Sequence, residues 1–356
     1  MSRMVIMAGG TGGHVIPALA VAAELTSRNV DVSWIGSREG LESRLVPDAG
    51  IEFDPIDIKG LRKSGIVRKL LMPFMLVKAM FQTFGVLRRR KPDAVLGMGG
   101  FVSGPGGLVS AILRIPLILH EQNSVAGMTN RWLAKISRHV MSGFPVASGI
   151  ENPNWIGNPV RSGILQVSEP ETRIRQHNGA LRILVVGGSQ GAGVFNENLP
   201  RLLSKFTPGQ LEVWHQCGKQ GLGNIAERYQ AFGIKSRVEV FIDDMASAYE
   251  WCDVVVCRSG AMTVSEICGA GIAAIFVPYP YAVNDHQAGN AAYLVSEGAA
   301  YMVRQPDFLG GQWLEVLEKF HSSRETLIEM GRAARNLAKP AASVTLAEIC
   351  LEAMHA

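Results

Sequence analysis

Short apolar runs alternate along this chain with longer stretches in which apolar residues recur at helical spacing. Met4–Ala8 reads as a strand, Val15–Ser27 as a helix and Val32–Gly36 as the next strand, the rhythm of a parallel α/β sheet. The rhythm restarts midway, where Arg182-Ile183-Leu184-Val185-Val186 runs into Gly187-Gly188-Ser189-Gln190-Gly191-Ala192 as the first strand runs into Gly9-Gly10-Thr11-Gly12-Gly13-His14. Later elements read as strands Leu211–Gln216 and Val238–Ile242, helix Met245–Trp251, strand Asp253–Cys257, helix Ala261–Gly269 and strand Ala273–Pro278. The pattern therefore predicts an α/β protein of two Rossmann-like domains, 1–160 and 161–339. Turn formers at Glu151-Asn152-Pro153-Asn154 and Gly157-Asn158-Pro159 put the linker near 158–163 and a cleft beside it. A last helix, Ala341 to Met354 within segment 340–356, is expected to pack back on the first domain.

Composition narrows the class. A chain of 356 residues exceeds what one core usually supports, and 47% apolar with 19% charged residues fits a globular enzyme. The five cysteines, Cys217, Cys252, Cys257, Cys268 and Cys350, show no CxxC spacing and read as buried thiols. The start of the chain has no secretory pattern, so a cytoplasmic location is expected. The apolar stretch Leu70 to Leu87 holds Pro73 and Lys78 and falls short of a membrane span.

The net charge of +4 is modest, but its distribution is uneven. From Lys59 to Lys91 the chain also carries Arg62, Lys63, Arg68, Lys69, Lys78, Arg88, Arg89 and Arg90, and no Asp or Glu. Interleaved Leu70, Leu71, Met72, Phe74, Met75, Leu76, Met80 and Phe81 make segment 59–91 a candidate for shallow insertion beside anionic lipid. A core-facing helix with a solvated basic side is the ordinary alternative. Nucleic acid is a third reading of the charge and is not expected as a partner.

Glycine loops between a strand end and a helix start let backbone N–H groups approach a phosphate. Such loops occur at Gly9–His14, Gly97-Met98-Gly99-Gly100 with Gly104-Pro105-Gly106-Gly107, Gly187–Ala192 and Ser259-Gly260-Ala261. A dinucleotide dehydrogenase is disfavoured, because the first loop reads Ala8-x-Gly10-x-x-Gly13 and no acidic residue closes the second strand, although Arg38 offers a phosphate partner. Gly218-Lys219 lacks the rest of a Walker A motif. With no HExxH, no His/Cys cluster and only an adjacent pair at Asp243-Asp244, neither a metal nor a cofactor is expected. A diphosphate would then be met by helix starts and by Arg161 or Arg258. Glu266, two turns into the helix that follows Arg258-Ser259-Gly260, is placed either to accept from ribose hydroxyls or to form an ion pair.

These loops, with His120-Glu121-Gln122-Asn123, Gly157-Asn158-Pro159-Val160-Arg161 and Arg258–Glu266, closely resemble the MurG family of bacterial N-acetylglucosaminyltransferases over essentially the whole chain. The resemblance implies the GT-B architecture and inverting, metal-independent transfer of GlcNAc from UDP-GlcNAc to lipid I, giving lipid II for peptidoglycan. It places the acceptor on the N-terminal domain and the donor mostly on the C-terminal one. Donor contacts would come from Thr11, Gly12, Gly13, Asn123, Arg161, Ser189, Ile242, Ala261, Met262, Thr263, Val264, Ser265, Glu266 and Gln287. Within that set Ile242 would meet uracil, Glu266 the ribose, Ala261 the diphosphate, and Gln287 with Asn290 the sugar. One departure stands at His286, where some members carry glutamine.

His14, where the first glycine loop becomes a helix, is the candidate general base, with Glu121 the alternative beside His120. The resemblance further implies a peripheral protein at the cytoplasmic face of the inner membrane, and cell-wall synthesis proteins as partners. Alternatives are a diacylglycerol glycosyltransferase, a UDP-GlcNAc 2-epimerase, or a non-catalytic nucleotide-sugar-binding subunit at a membrane.

Overall fold

The computed structural model describes residues 1–58, 66–188, 191–219, 221 and 223–355, with the side chains of 66–71 outside the description. Ser189 and Gln190, and the basic residues Lys59, Arg62, Lys63, Arg68 and Lys69 of the charged segment, therefore lie outside the described residues or side chains. The chain divides into two compact units, Met1–Pro159 with Lys339–Ala356, and Val160–Ala338.

The first unit is a parallel sheet of β1 (Arg3–Ala8), β2 (Asp31–Ser37), β3 (Glu52–Ile56), β4 (Ala94–Gly99), β5 (Leu117–Glu121), β6 (His139–Ser142) and β7 (Asn154–Trp155), in the order β3-β2-β1-β4-β5-β6-β7. Strand residues alternate between faces, and β1 shows the consequence. Met4, Ile6 and Ala8 pack into one apolar cluster with the helix Gly12–Ser27, while Val5 and Met7 enter the opposite cluster with Val95, Val109 and Leu119. The C-terminal helix Ala342–His355 buries Leu346, Ala347, Cys350 and Ala353 in the first of these clusters. Both faces of β1 are thus covered, which is why it reads as an uninterrupted apolar run.

The second unit repeats the winding with β8 (Leu181–Val186), β9 (Leu211–Gln216), β10 (Lys235–Glu239), β11 (Val254–Cys257), β12 (Ala273–Phe276) and β13 (Ala300–Met302), ordered β10-β9-β8-β11-β12-β13 and parallel throughout. The α/β class and the Rossmann-like winding are as the pattern predicts. One strand differs: the apolar run at Val238–Ile242 is not the strand, which lies at Lys235–Glu239. β10 is an edge strand paired only with β9. Its half-covered position accommodates Lys235 and Arg237, so apolar content misplaces it.

Candidate functional site

In open parallel sheets ligands collect beyond the carboxyl ends of the strands, and the segments that follow β1, β5 and β11 there carry Thr11–His14, Asn123 and Ala261–Glu266. In the first unit β1 ends at Ala8, whose carbonyl accepts a hydrogen bond from the buried Trp34 indole at 2.9 Å. The chain then turns through Gly10 at φ +95° into Thr11, the N-cap of Gly12–Ser27. Thr11 makes no side-chain cap bond and the first turn holds no acidic residue. The amides and the dipole of this helix start are therefore available to an anion.

The loop is braced by a residue that the sequence reading missed. Glu42 is fully buried; one carboxylate oxygen accepts from Gly10 N–H at 3.0 Å, and the other from Ser37 N–H at 2.9 Å and Ser37 Oγ at 2.6 Å. A Cβ on Gly9, Gly36 or Gly40 would come within 2.6, 2.6 and 2.1 Å of the Glu42 side chain. These glycines make room for a carboxylate, a second use of glycine beside phosphate approach. The only sequence signal was an acidic residue a few positions beyond an apolar strand.

His14 is half-buried in the first turn, and its Nδ1 lies 2.9 Å from Gln122 Oε1. Gln122 in turn meets His120, whose Nε2 lies 2.9 Å from Gly157 O. His120 is wholly buried, and desolvation pushes its pKa down to about 4 against the opposing pull of Gly157 O and Glu121. Glu121, the last residue of β5, accepts from Asn123 N–H at 2.9 Å, Asn123 Nδ2 at 3.1 Å, Gly127 N–H at 3.1 Å and Asn130 Nδ2 at 2.9 Å. Its carboxylate thereby shapes the loop that carries Asn123.

In the second unit the segment after β11 leads through Ser259 and Gly260 into the helix Ala261–Ala270, again with no side-chain cap and no acidic residue in the first turn. Met262 and Val264 are buried, whereas Thr263 and Ser265 are partly exposed. Glu266, 7% exposed, receives the Tyr249 hydroxyl at 3.1 Å on one oxygen and Arg161 at 3.3 Å on the other. Burial raises its pKa, with Arg161 and the Tyr249 hydroxyl pulling the other way. Of the two sequence readings of Glu266, the ion pair is the one present, with Arg161 at 3.3 Å.

Other assigned residues are held by their surroundings. Gln216, which closes β9, accepts from Ile242 N–H at 3.0 Å and donates to Gly188 O at 3.2 Å, joining Gly188 to the Ile242 backbone. Gln287 accepts from Tyr279 N–H at 2.9 Å, and the buried Asn290 donates to Ser259 O at 3.1 Å. Arg258 donates to Val277 O at 2.9 Å and Pro278 O at 3.1 Å and lies over the Phe195 ring. It therefore ties strand ends together, and Arg161 is the guanidinium that stands with Glu266. Thr11, Gly12, Gly13, His14, Glu121 and Asn123 belong to the first unit; Arg161, Ile242, Ala261–Glu266 and Gln287 belong to the second. Among the described residues no group of three or more His, Cys, Asp or Glu side chains is placed to hold a metal ion.

Two parallel-sheet units, each with glycine-lined helix starts at its carboxyl edge, suit phosphate-bearing ligands, and comparison with known proteins makes the class that of a glycosyltransferase. Residues 4–142 match the Glycosyltransferase family 28 N-terminal domain and 182–346 the Glycosyltransferase family 28 C-terminal domain. The chain belongs to glycosyltransferase family 28. A relative from Marinobacter nauticus, 47% identical over 99% of this chain and 98% of its own, is a UDP-N-acetylglucosamine--N-acetylmuramyl-(pentapeptide) pyrophosphoryl-undecaprenol N-acetylglucosamine transferase. The crystal structure of Acinetobacter baumannii MurG superposes with a TM-score of 0.85 at 39% identity, covering 99% of this chain and 100% of that one. A UDP-GlcNAc 2-epimerase from Neisseria meningitidis shares the fold alone, with a TM-score of 0.65 at 13% identity over 99% of this chain and 100% of that one.

Proposed function

We propose that this protein transfers N-acetylglucosamine from UDP-GlcNAc to lipid I, the undecaprenyl-pyrophosphoryl-MurNAc-pentapeptide, giving lipid II with inversion at the anomeric carbon. The observation that carries this reading is 47% identity along 99% of the chain to a transferase named for that donor and acceptor. In this reading the acceptor hydroxyl oxygen bonds to the anomeric carbon as that carbon's bond to the diphosphate breaks. The electron pair leaves with UDP, and the hydroxyl proton passes to His14.

Glu266 accepts from the ribose hydroxyls, and the helix start at Ala261–Ser265 receives the diphosphate. Ile242 offers its backbone to uracil, with its N–H already engaged by Gln216. Thr11, Gly12, Gly13, Asn123, Arg161, Ser189 and Gln287 complete the donor contacts, and Glu121 is assigned a positioning role on the strength of its four donors.

The acceptor's lipid calls for a membrane surface, and the first unit carries features that suit one. The helix Ile66–Arg90 exposes Phe74 and Phe81, each to 74%. The adjoining helices Ser103–Ile112 and Met128–Leu133 add Ile112 at 66% and Trp132 at 68%. So much exposed apolar surface on adjoining helices supports a membrane-facing reading, and Arg88 and Lys135 lie over the Phe84 and Trp132 rings. Part of the segment's basic charge is balanced from outside it, because Lys78 pairs with Asp57, and Arg89 and Arg90 pair with Asp54. On this exposed apolar surface and the lipid-borne acceptor we propose peripheral attachment to the cytoplasmic leaflet; among the described residues no helix is long and apolar enough to cross a membrane.

The test is UDP release from UDP-GlcNAc in EDTA, with and without a lipid I analogue. Release that requires the analogue and yields the disaccharide product is expected; release without an acceptor, or none with it, overturns the reading. Binding to phosphatidylglycerol-containing vesicles is expected to fall on Phe74→Ser with Phe81→Ser while turnover on a soluble acceptor persists; unchanged vesicle binding would remove the membrane assignment.

A further inference from the structure

His14 is tied to the sheet through one amide, Gln122, and the atoms around that amide fix its protons. Gln122 Nε2 lies 3.3 Å from the main-chain oxygen of His120, which can only accept, so this end of the amide is the donor. Gln122 Oε1 can only accept, and it lies 2.9 Å from His14 Nδ1, which must therefore carry a hydrogen. The same logic runs through His120. Its Nε2 donates to Gly157 O at 2.9 Å, which leaves Nδ1 as the lone pair facing Gln122 Nε2 at 3.3 Å. A pKa pushed down to about 4 by burial keeps that ring neutral. Two backbone carbonyls thus set the direction of the whole row.

The amide itself is fixed in place. Gln122 is 1% exposed, and its main-chain oxygen accepts from Asn158 Nδ2 at 3.0 Å. Gly99, at φ +98°, leaves the space: a Cβ there would stand 2.8 Å from His14 Nδ1 and 3.5 Å from Gln122 Oε1. The second glycine loop therefore admits the imidazole–amide contact.

We propose that Gln122 is a positioning residue for the transfer reaction, its side-chain carbonyl holding His14 in the Nδ1–H tautomer so that Nε2 is the basic nitrogen. This rests on the reading of His14 as the base. Which ring nitrogen of a neutral histidine is basic is set by the bond the other nitrogen makes, and fixing the wrong tautomer in a Ser-His-Asp triad costs ~10⁴-fold in rate.

The experiment uses the full chain labelled with 15N-histidine, the His14 signals being those lost in His14→Ala. Wild type is expected to show Nδ1 protonated and Nε2 unprotonated; the reverse pattern overturns the proposal without any variant. Gln122→Met, which keeps the volume and removes both polar ends, is expected to lose the Nδ1–H pattern and to lower kcat tenfold or more, with the UDP-GlcNAc KM unchanged. In a His14→Ala background it is expected to cost nothing further. An equal loss in both backgrounds means a merely structural role and overturns the proposal. Gln122→Glu, whose carboxylate still accepts from Nδ1, is expected to keep the Nδ1–H pattern and most of kcat even if Gln122→Met does not fold. A Glu variant as slow as the Met variant overturns the proposal. Should His14→Ala itself retain kcat, the base reading falls, while the 15N pattern still decides whether Gln122 sets the tautomer.

Discussion

The two units wind the same sheet and end central strands in the same glycine loops, yet the polar groups at their carboxyl edges are deployed differently. In the first unit two buried carboxylates, Glu42 and Glu121, are held by backbone and asparagine N–H groups and the Ser37 hydroxyl, and the loops they brace lead to one half-buried imidazole. In the second, Arg258, Asn290 and Gln216 bind main-chain groups, and Glu266 is the carboxylate that stands near an open helix start with two side-chain partners. A glycine loop alone says that an anion can approach. On the function proposed above, the side chains locked around it separate a unit that moves a proton from one that grips a nucleotide.

That contrast breaks most readily at His14. His14→Ala is expected to lower kcat by about 10²–10⁴-fold with little change in the UDP-GlcNAc KM; steady-state kinetics with separate donor and acceptor titrations read the split. A raised donor KM with kcat intact would make the first unit a second nucleotide grip and erase the contrast.

The units are alike in one respect, and pH exposes it. Each buries a histidine whose pKa desolvation depresses, His120 to about 4 and His215 to about 3. Below pH 6.5 the unfolded chain takes up protons that the folded units refuse, so each contribution is complete above that pH and is lost as pH falls toward the folded value. The loss is about 3–5 kcal/mol per histidine once both states are titrated, the larger for His215. Urea unfolding followed from pH 7 to 5 is expected to show falling midpoints for both units. His120→Asn should flatten the trend for the first unit alone, and a flat trend in the wild type would mean that neither ring is as dry as its burial indicates.

Much of this arrangement was legible in the sequence, and the rest has a common cause. Strands such as β1, β2, β8, β9, β11 and β12 and the glycine loops follow from local pattern, because burial on both faces and tight strand–helix turns leave apolar runs and glycines in place. Glu42, Gln122, Gln216 and Tyr249 were not legible as site residues. Each is a single polar side chain whose partner lies elsewhere in the chain, such as Gln122 and His14 or Gln216 and Gly188. Such pairing leaves no periodicity to read. The edge strand β10 failed for the opposite reason, since partial cover relaxes the pattern that marks a strand. Segment 59–91 looked wholly uncompensated because Asp54 and Asp57, which pair with Arg89, Arg90 and Lys78, sit just ahead of it.

The second unit's side of the contrast sharpens at Glu266. Glu266→Ala removes the acceptor assigned to the ribose and leaves Arg161 and the buried Tyr249 hydroxyl without their shared partner. The donor KM is expected to rise about 10- to 100-fold, in line with ~1.5–3 kcal/mol for a hydrogen bond to a charged group, with the acceptor KM unchanged. Because burial raises the Glu266 pKa, protonation should begin to weaken donor binding at a higher pH than for a solvated glutamate. A pH profile of the donor KM reads this, and in Glu266→Gln the acid limb should vanish.

The smallest effect separates holding from gripping. Tyr249 is fully buried, and its hydroxyl donates to Glu266 Oε2 at 3.1 Å. Tyr249→Phe keeps the ring and its packing and removes one hydrogen bond to a charged group, worth about 1.5–3 kcal/mol when no other donor replaces it. If the hydroxyl serves to orient the carboxylate for the nucleotide, the donor KM should rise several-fold while Tm hardly moves. If instead Tm drops and the donor KM is unchanged, Tyr249 and Glu266 form an internal brace like Glu42 and Ser37, and the two units would differ less than their carboxyl edges indicate.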